Sequence, residues 1–133
     1  MEINSEQAML NFGQDLAKKL TPPVVIELIG DVGAGKTTLV RGLAKGFGIK
    51  EPITSPSFTI SKSYVLPSGG YLIHYDFYRL DDPGIMLDDL TENLKNPQNI
   101  IVIEWGKSIA KILPQNHQKI QIDYTDTGRK VTL

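Results

Sequence analysis

Gly30-Asp31-Val32-Gly33-Ala34-Gly35-Lys36-Thr37 reads G-x-x-x-x-G-K-T, and its flanks decide the fold. Upstream lies an apolar run, Val24-Val25-Ile26-Glu27-Leu28-Ile29. Downstream Leu39, Leu43 and Phe47 recur every four residues. Strand, glycine loop and helix in that order are what a phosphate-binding loop requires. Glycines let successive N–H groups turn toward one point, so a triphosphate is cradled at a helix N-terminus. At ordinary residue frequencies the pattern arises by chance in about one chain in two hundred of this length, before the flanks are counted. The stretch therefore implies a nucleoside triphosphate site. Lys36 is expected to reach the β- and γ-phosphates, and the Thr37 hydroxyl to ligate Mg²⁺.

Working outward, Asn4 or Ser5 is placed to cap a first helix, with Met9, Phe12, Leu16 and Leu20 along one face up to Pro22-Pro23. Gly46 and Gly48 offer a stop for the helix that follows the loop. Phe58–Val65 and Tyr71–Phe77 read as strands joined by Pro67-Ser68-Gly69-Gly70, a hairpin. A short helix is expected around Met86–Leu94 and a buried strand over Ile100–Ile103. The C-terminal part carries a weak helix near Ser108–Leu113 and strands at Lys119–Asp123 and Arg129–Leu133. Nearly continuous apolar runs suit parallel strands covered on both faces. The expected fold is α/β: a single P-loop NTPase-like domain over residues 1–133, a three-layer sandwich with a mixed central sheet and β-hairpins.

With 133 residues, 41% hydrophobic and 22% charged, the chain has the make-up of one ordinary globular unit. Fourteen basic and fifteen acidic side chains give a formal charge of −1, without the basic excess of a protein that grips nucleic acid through phosphates. The absence of cysteine excludes thiol catalysis, disulfides and cysteine-based zinc sites. The first twenty residues carry acids rather than an apolar leader, and no run approaches the roughly 18 apolar residues of a membrane span. A cytoplasmic location with no membrane association is expected.

Hydrolysis needs more than a phosphate loop: a metal and a group that orients water. Asp76 closes the run Leu72–Asp76 and Glu104 closes Ile100–Glu104. Ligands in open α/β sheets lie beyond the carboxyl ends of strands, so both acids are candidates to face metal and γ-phosphate. Glu104 is the stronger, its strand being the more apolar. His74, inside its strand, is read as a structural histidine satisfied by one hydrogen bond, and Arg79 as the partner of Asp81 or Asp82 or part of a partner surface. Trp105 is read equally as a core aromatic or as a neighbour of the nucleotide. No N-K-x-D occurs, so guanine specificity has no support.

The set G-D-x-G-A-G-K-T-T at Gly30–Thr38, Ser55-Pro56-Ser57-Phe58, His74-Tyr75-Asp76-Phe77-Tyr78-Arg79-Leu80 and Glu104-Trp105, in this order, resembles the TsaE (YjeE) family of small bacterial ATPases. The resemblance spans nearly the full chain and includes Gly128-Arg129. Ser57 stands where the family has Thr, Gly106 where Pro is common, and 81–99 lacks the family's acidic, Leu-rich run. The resemblance implies ATP as the nucleotide, Gly33, Ala34, Gly35, Lys36, Thr37 and Thr38 on its phosphates, and Thr37 and Glu104 at Mg²⁺. It further implies Glu104 and Asp76 supporting metal and attacking water, Ser55 and Ser57 on a segment that responds to the γ-phosphate, Trp105 flanking the nucleotide, and Glu6 and Arg129 toward the nucleoside. It implies hydrolysis in a complex with TsaB and TsaD proteins, in which TsaD transfers threonylcarbamoyl to adenosine 37 of tRNAs reading ANN codons. tRNA is then met only through the complex. Other functions open to the same loop are a small kinase, disfavoured by only three arginines, and a nucleotide-gated binding module with little turnover.

Overall fold

The computed structural model describes residues 1–31, 33–54, 61–77 and 84–133. Elements follow in the order β1 (Glu2–Ile3), α1 (Glu6–Ala17), β2 (Val24–Ile29), α2 (Lys36–Gly46), β3 (Ser61–Val65), β4 (Tyr71–Asp76), α3 (Ile85–Leu94), β5 (Ile100–Glu104), a 3₁₀ helix (Gly106–Ile112), β6 (Gln118–Tyr124) and β7 (Arg129–Thr132). The strands make one sheet ordered β1-β7-β6-β2-β5-β4-β3. β2 pairs in parallel with β5 and β6, and β4 with β5. The β3–β4 and β6–β7 hairpins and the β1–β7 pair are antiparallel. The expected mixed sheet is thus present, and the expected hairpin lies at Pro67–Gly70. Phe58 to Ile60, assigned above to its first strand, lie outside the described residues.

β2 and β5 are central because β-branched side chains fill both their faces; every residue of β5 is buried. Alternation along the strands splits the core in two. Ile26, Leu28, Leu72, Ile100 and Val102 pack with α1 and α2, while Ile73, Tyr75, Ile101 and Ile103 pack with Leu90 of α3 and Ile109 of the 3₁₀ helix. These are the three layers. On the second face the Tyr75 hydroxyl donates to Asp89 Oδ2 at 2.6 Å and accepts from Asn93 Nδ2 at 2.7 Å. Burial, with the Asp89 bond added, holds that phenol well above its ordinary pKa, so it stays a donor.

Ser5 caps α1, its Oγ accepting from the Ala8 N–H at 3.0 Å. The helix ends at Ala17, so Leu20 packs from the turn beyond it. Its buried residues are Met9, Gly13 and Ala17, with Phe12 and Leu16 only partly covered. The reason is the seam with α2, where the two backbones touch. A Cβ on Gly13 would lie 2.6 Å from the Leu39 carbonyl oxygen, and one on Gly46 2.5 Å from Ala17 Cβ. Gly46 is therefore a packing residue inside α2. The stop is supplied by Gly48 alone, at φ +86°, with Ile49 N–H returning to Ala44 O at 2.9 Å.

Gly42→Ala tests this seam, because its methyl would press on the backbone carbonyl of Leu10 and lie 3.1 Å from Gly13 Cα. Helix propensity favours alanine by ~1 kcal/mol, whereas forcing a methyl against rigid backbone costs up to about 3 kcal/mol. The clash is expected to win, lowering the melting temperature by several degrees. An unchanged melt would mean that the two helices separate freely.

Candidate nucleotide site

The loop leaves β2 at Gly30 and is shaped by two left-handed glycines, Gly33 at φ +81° and Gly35 at φ +106°. Gly35 is also the N-cap of α2, and no side chain caps that end among the described residues. The first-turn N–H groups of α2 are thus left for a ligand rather than spent on a Ser or Asp side chain. Ala34 is fully buried, and its N–H bonds to Asp31 O at 3.0 Å. Arg129 fixes the loop from the β7 side. Its Nε donates to Ala34 O at 3.1 Å and its Nη2 to Gly33 O at 3.4 Å, while the guanidinium lies 4.2 Å above the Tyr124 ring. A trans peptide puts N–H opposite C=O, so holding the Ala34 carbonyl turns the Gly35 N–H away from Arg129.

Lys36, the first residue of α2, is only 6% exposed. Its Nζ donates to Gly30 O at 2.6 Å, lies 3.5 Å from Glu104 Oε1 and sits 4.3 Å above the Trp105 ring. Glu104, 4% exposed at the end of β5, is shared between two cations or donors. Oε1 faces Lys36, and Oε2 is bonded to Nε2 of His74, which is fully buried in β4. An ionised carboxylate only accepts, so the imidazole carries its proton on Nε2. His74 Nδ1, a bare acceptor in the neutral ring, is buried without a partner among the described residues. Such a group costs about 1–3 kcal/mol.

Pairing of strands explains the meeting. β4 and β5 run parallel with His74 beside Val102 and Asp76 beside Glu104, so His74, Asp76 and Glu104 share the face that carries α1 and α2. Asp76 is half-buried at that edge. Trp105 follows Glu104 in the left-handed region, φ 57° and ψ 46°, a conformation costing a non-glycine residue roughly 1–2 kcal/mol. That reversal ends the strand and sets the indole under Lys36. The ring also packs on the core of the second face, as the core-aromatic reading expects.

Thr37 and Thr38 lie half-buried in the first turn of α2. Thr38 lines a cleft of about 380 Å³ beside the loop, walled by Ser5, Glu6, Met9 and Arg129. Glu6 is exposed there and 3.8 Å from Arg41 Nη1. Arg129 thus reaches the loop carbonyls as well as this cleft. Ser55, Ser57, Arg79, Asp81 and Asp82 lie outside the described residues. Sequence reasoning missed one member, His74. It does make a single hydrogen bond, as expected, but that bond goes to Glu104. The available signal was spacing, because His74 and Asp76 must face the same way.

These residues fit a phosphate chain: a glycine cradle, a buried cation at its mouth and a cleft alongside. No group of three His, Cys, Asp or Glu placed to hold a metal ion by itself occurs among the described residues. A cation such as Mg²⁺ takes one or two protein ligands and completes its shell with phosphate and water. Thr37, in the first turn of α2, and Glu104, at the end of β5, carry oxygens of that type.

A parallel strand entering a glycine loop and helix, with an acid at the end of the neighbouring strand, defines a P-loop α/β protein. The family described as "Threonylcarbamoyl adenosine biosynthesis protein TsaE" matches residues 3–131. The chain is 35% identical to the tRNA threonylcarbamoyladenosine biosynthesis protein TsaE of Haemophilus influenzae over 136 residues, covering 98% of this chain and 85% of that protein. With the Bacillus subtilis protein of the same name it shares 40% over 116 residues, 84% of this chain and 69% of that one. The crystal structure of Bacillus subtilis YdiB superposes with a TM-score of 0.76 at 32% identity, covering 96% of this chain and 78% of the other. The chain belongs to the TsaE family of threonylcarbamoyl adenosine biosynthesis proteins. No helix among the described residues is long and apolar enough to cross a membrane.

Proposed function

We propose that residues 1–133 act as one domain that binds ATP with Mg²⁺ and hydrolyses it for tRNA threonylcarbamoylation, in the cytoplasm, with TsaB and TsaD proteins as partners. The observation that carries this reading is the buried contact between Lys36 and Glu104 at the mouth of the loop, 3.5 Å across. It puts the phosphate-binding cation and the candidate catalytic acid within reach of one reacting group.

Phosphate oxygens approaching α2 meet the N–H groups of Gly33 and of Gly35 to Thr38, that of Ala34 being held by Asp31, and compete with Glu104 for Lys36. Lys36 turns to the phosphates, and Glu104 Oε1 is released toward the loop. Glu104 then holds the attacking water, and Asp76 beside it supports the same site. Mg²⁺ bound by Thr37 and Glu104 would neutralise charge that develops between β- and γ-phosphate. Arg129 keeps the loop carbonyls out of the way, the cleft walled by Glu6, Met9 and Arg129 takes the nucleoside, and Trp105, against Lys36, flanks the phosphate end of the nucleotide. With a net charge of −1, contact with tRNA comes through the partners rather than through this surface.

A capture experiment with the tagged protein in native lysate, with and without Mg·ATP, tests the reading. TsaB and TsaD homologues are expected in the ATP sample, and the reconstituted set should release phosphate. Recovery of neither protein, together with no phosphate release, would sink it.

A further inference from the structure

We propose that His74 is a positioning residue for Glu104. Its Nε2–H pins one carboxylate oxygen so that the other, held by Lys36, stays aimed at the loop when Lys36 leaves for the phosphates. This rests on the ATPase reading above. The two oxygens of Glu104 have different partners, Oε1 with Lys36 and Oε2 with His74. A mobile ammonium on a four-carbon stem and a ring locked in the middle of a strand differ in what they can do. Lys36 can swing; His74, fully buried in β4 on the face opposite Ile73 and Tyr75, cannot.

A buried position on a strand flanked on both sides is normally filled by Val or Ile, and here it holds a ring with one nitrogen unpartnered among the described residues. Packing alone gives no reason for that nitrogen. Donation to Glu104 does, because a neutral ring that donates from Nε2 has no second proton and leaves Nδ1 bare. Without the pin, Glu104 has two choices once a nucleotide binds: follow the Lys36 ammonium toward the phosphates, or rotate about its own side chain. Either moves the acid from the water it is meant to hold. His74 therefore acts on the chemical step and leaves nucleotide affinity to the loop.

The test compares His74→Leu, which fills the space without a donor, with His74→Gln, whose amide restores one near the Nε2 position. Turnover is read with partner proteins, and affinity by Mg·ADP titration of Trp105, the only tryptophan. His74→Leu is expected to lose about 10- to 100-fold in kcat with KM and ADP affinity within about threefold of the wild type, as outer-shell partners usually do. His74→Gln should recover most of that loss at the same melting temperature as His74→Leu. A folded His74→Leu protein with wild-type kcat overturns the proposal, as does a glutamine variant no better than leucine.

Should His74→Leu not fold, wild-type protein with ¹⁵N-labelled histidine decides. The Nε2 proton of His74 should be protected from exchange, stay protected when Mg²⁺ and a non-hydrolysable ATP analogue bind, and shift in Glu104→Gln. Loss of protection on binding the analogue overturns the proposal. Wild-type phosphate release no higher than that of Lys36→Ala would instead sink the ATPase reading, and the nuclear resonance result would still judge the pin.

Discussion

Lys36→Ala is expected to abolish turnover and weaken Mg·ATP binding by about 100-fold, the roughly 3 kcal/mol of a charge-assisted contact made in a water-poor site. Calorimetry reads the affinity and phosphate release the turnover. The structure adds a second consequence. Removing the ammonium leaves Glu104, 4% exposed, with His74 as its named partner. Breaking one side of a buried pair costs about 3–5 kcal/mol, and the surviving His74 bond should keep the loss at or below the lower end. Lys36→Ala should therefore also melt earlier, and the double variant Lys36→Ala/Glu104→Ala should recover part of that stability. Binding unchanged in the single variant would mean that the loop does not hold phosphate through Lys36. A double variant no more stable than Lys36→Ala would mean that Glu104 carries no penalty when left behind.

The frame of the site was legible because its determinants are local. A six-residue run with five apolar side chains, a glycine loop and a four-residue periodicity stand next to each other in the chain, and the same neighbourhood folds into β2, loop and α2. Ser5 capping and the Pro67–Gly70 turn are local too, and both appear. What escaped depends on register between distant strands. His74 and Glu104 are 30 residues apart, and their bond exists because β4 and β5 pair with Asp76 beside Glu104. A one-residue slip would put His74 on the other face. Gly46 misled for a related reason: a glycine near a helix end reads as a stop, and only the neighbouring helix reveals that Ala17 occupies the place of its side chain. Arg129 is the third case, 95 residues from the carbonyl of Ala34 that it holds. The two-residue β1 is too short for any periodicity and is made by pairing with β7.

Glu104→Gln separates chemistry from binding. The amide keeps the length and shape of the side chain, and its oxygen still accepts from His74, so the fold around β5 should hold. It cannot act as a base and binds a divalent cation more weakly than a carboxylate. Hydrolysis is expected to fall by about 100- to 1,000-fold, the loss typical of a group that positions water or stabilises transition-state charge. Affinity should go the other way. Glu104 Oε1 competes with phosphate for Lys36 across 3.5 Å, and a neutral amide competes less, so ADP measured without Mg²⁺ should bind as tightly as to the wild type or tighter. Leaving the metal out matters, because loss of a ligand would mask the gain. Single-turnover hydrolysis is the deciding measurement, since steady-state rates also report product release. A Glu104→Gln protein that hydrolyses bound ATP at the wild-type single-turnover rate would remove Glu104 from the chemistry and leave Asp76, its neighbour in register, as the acid to test.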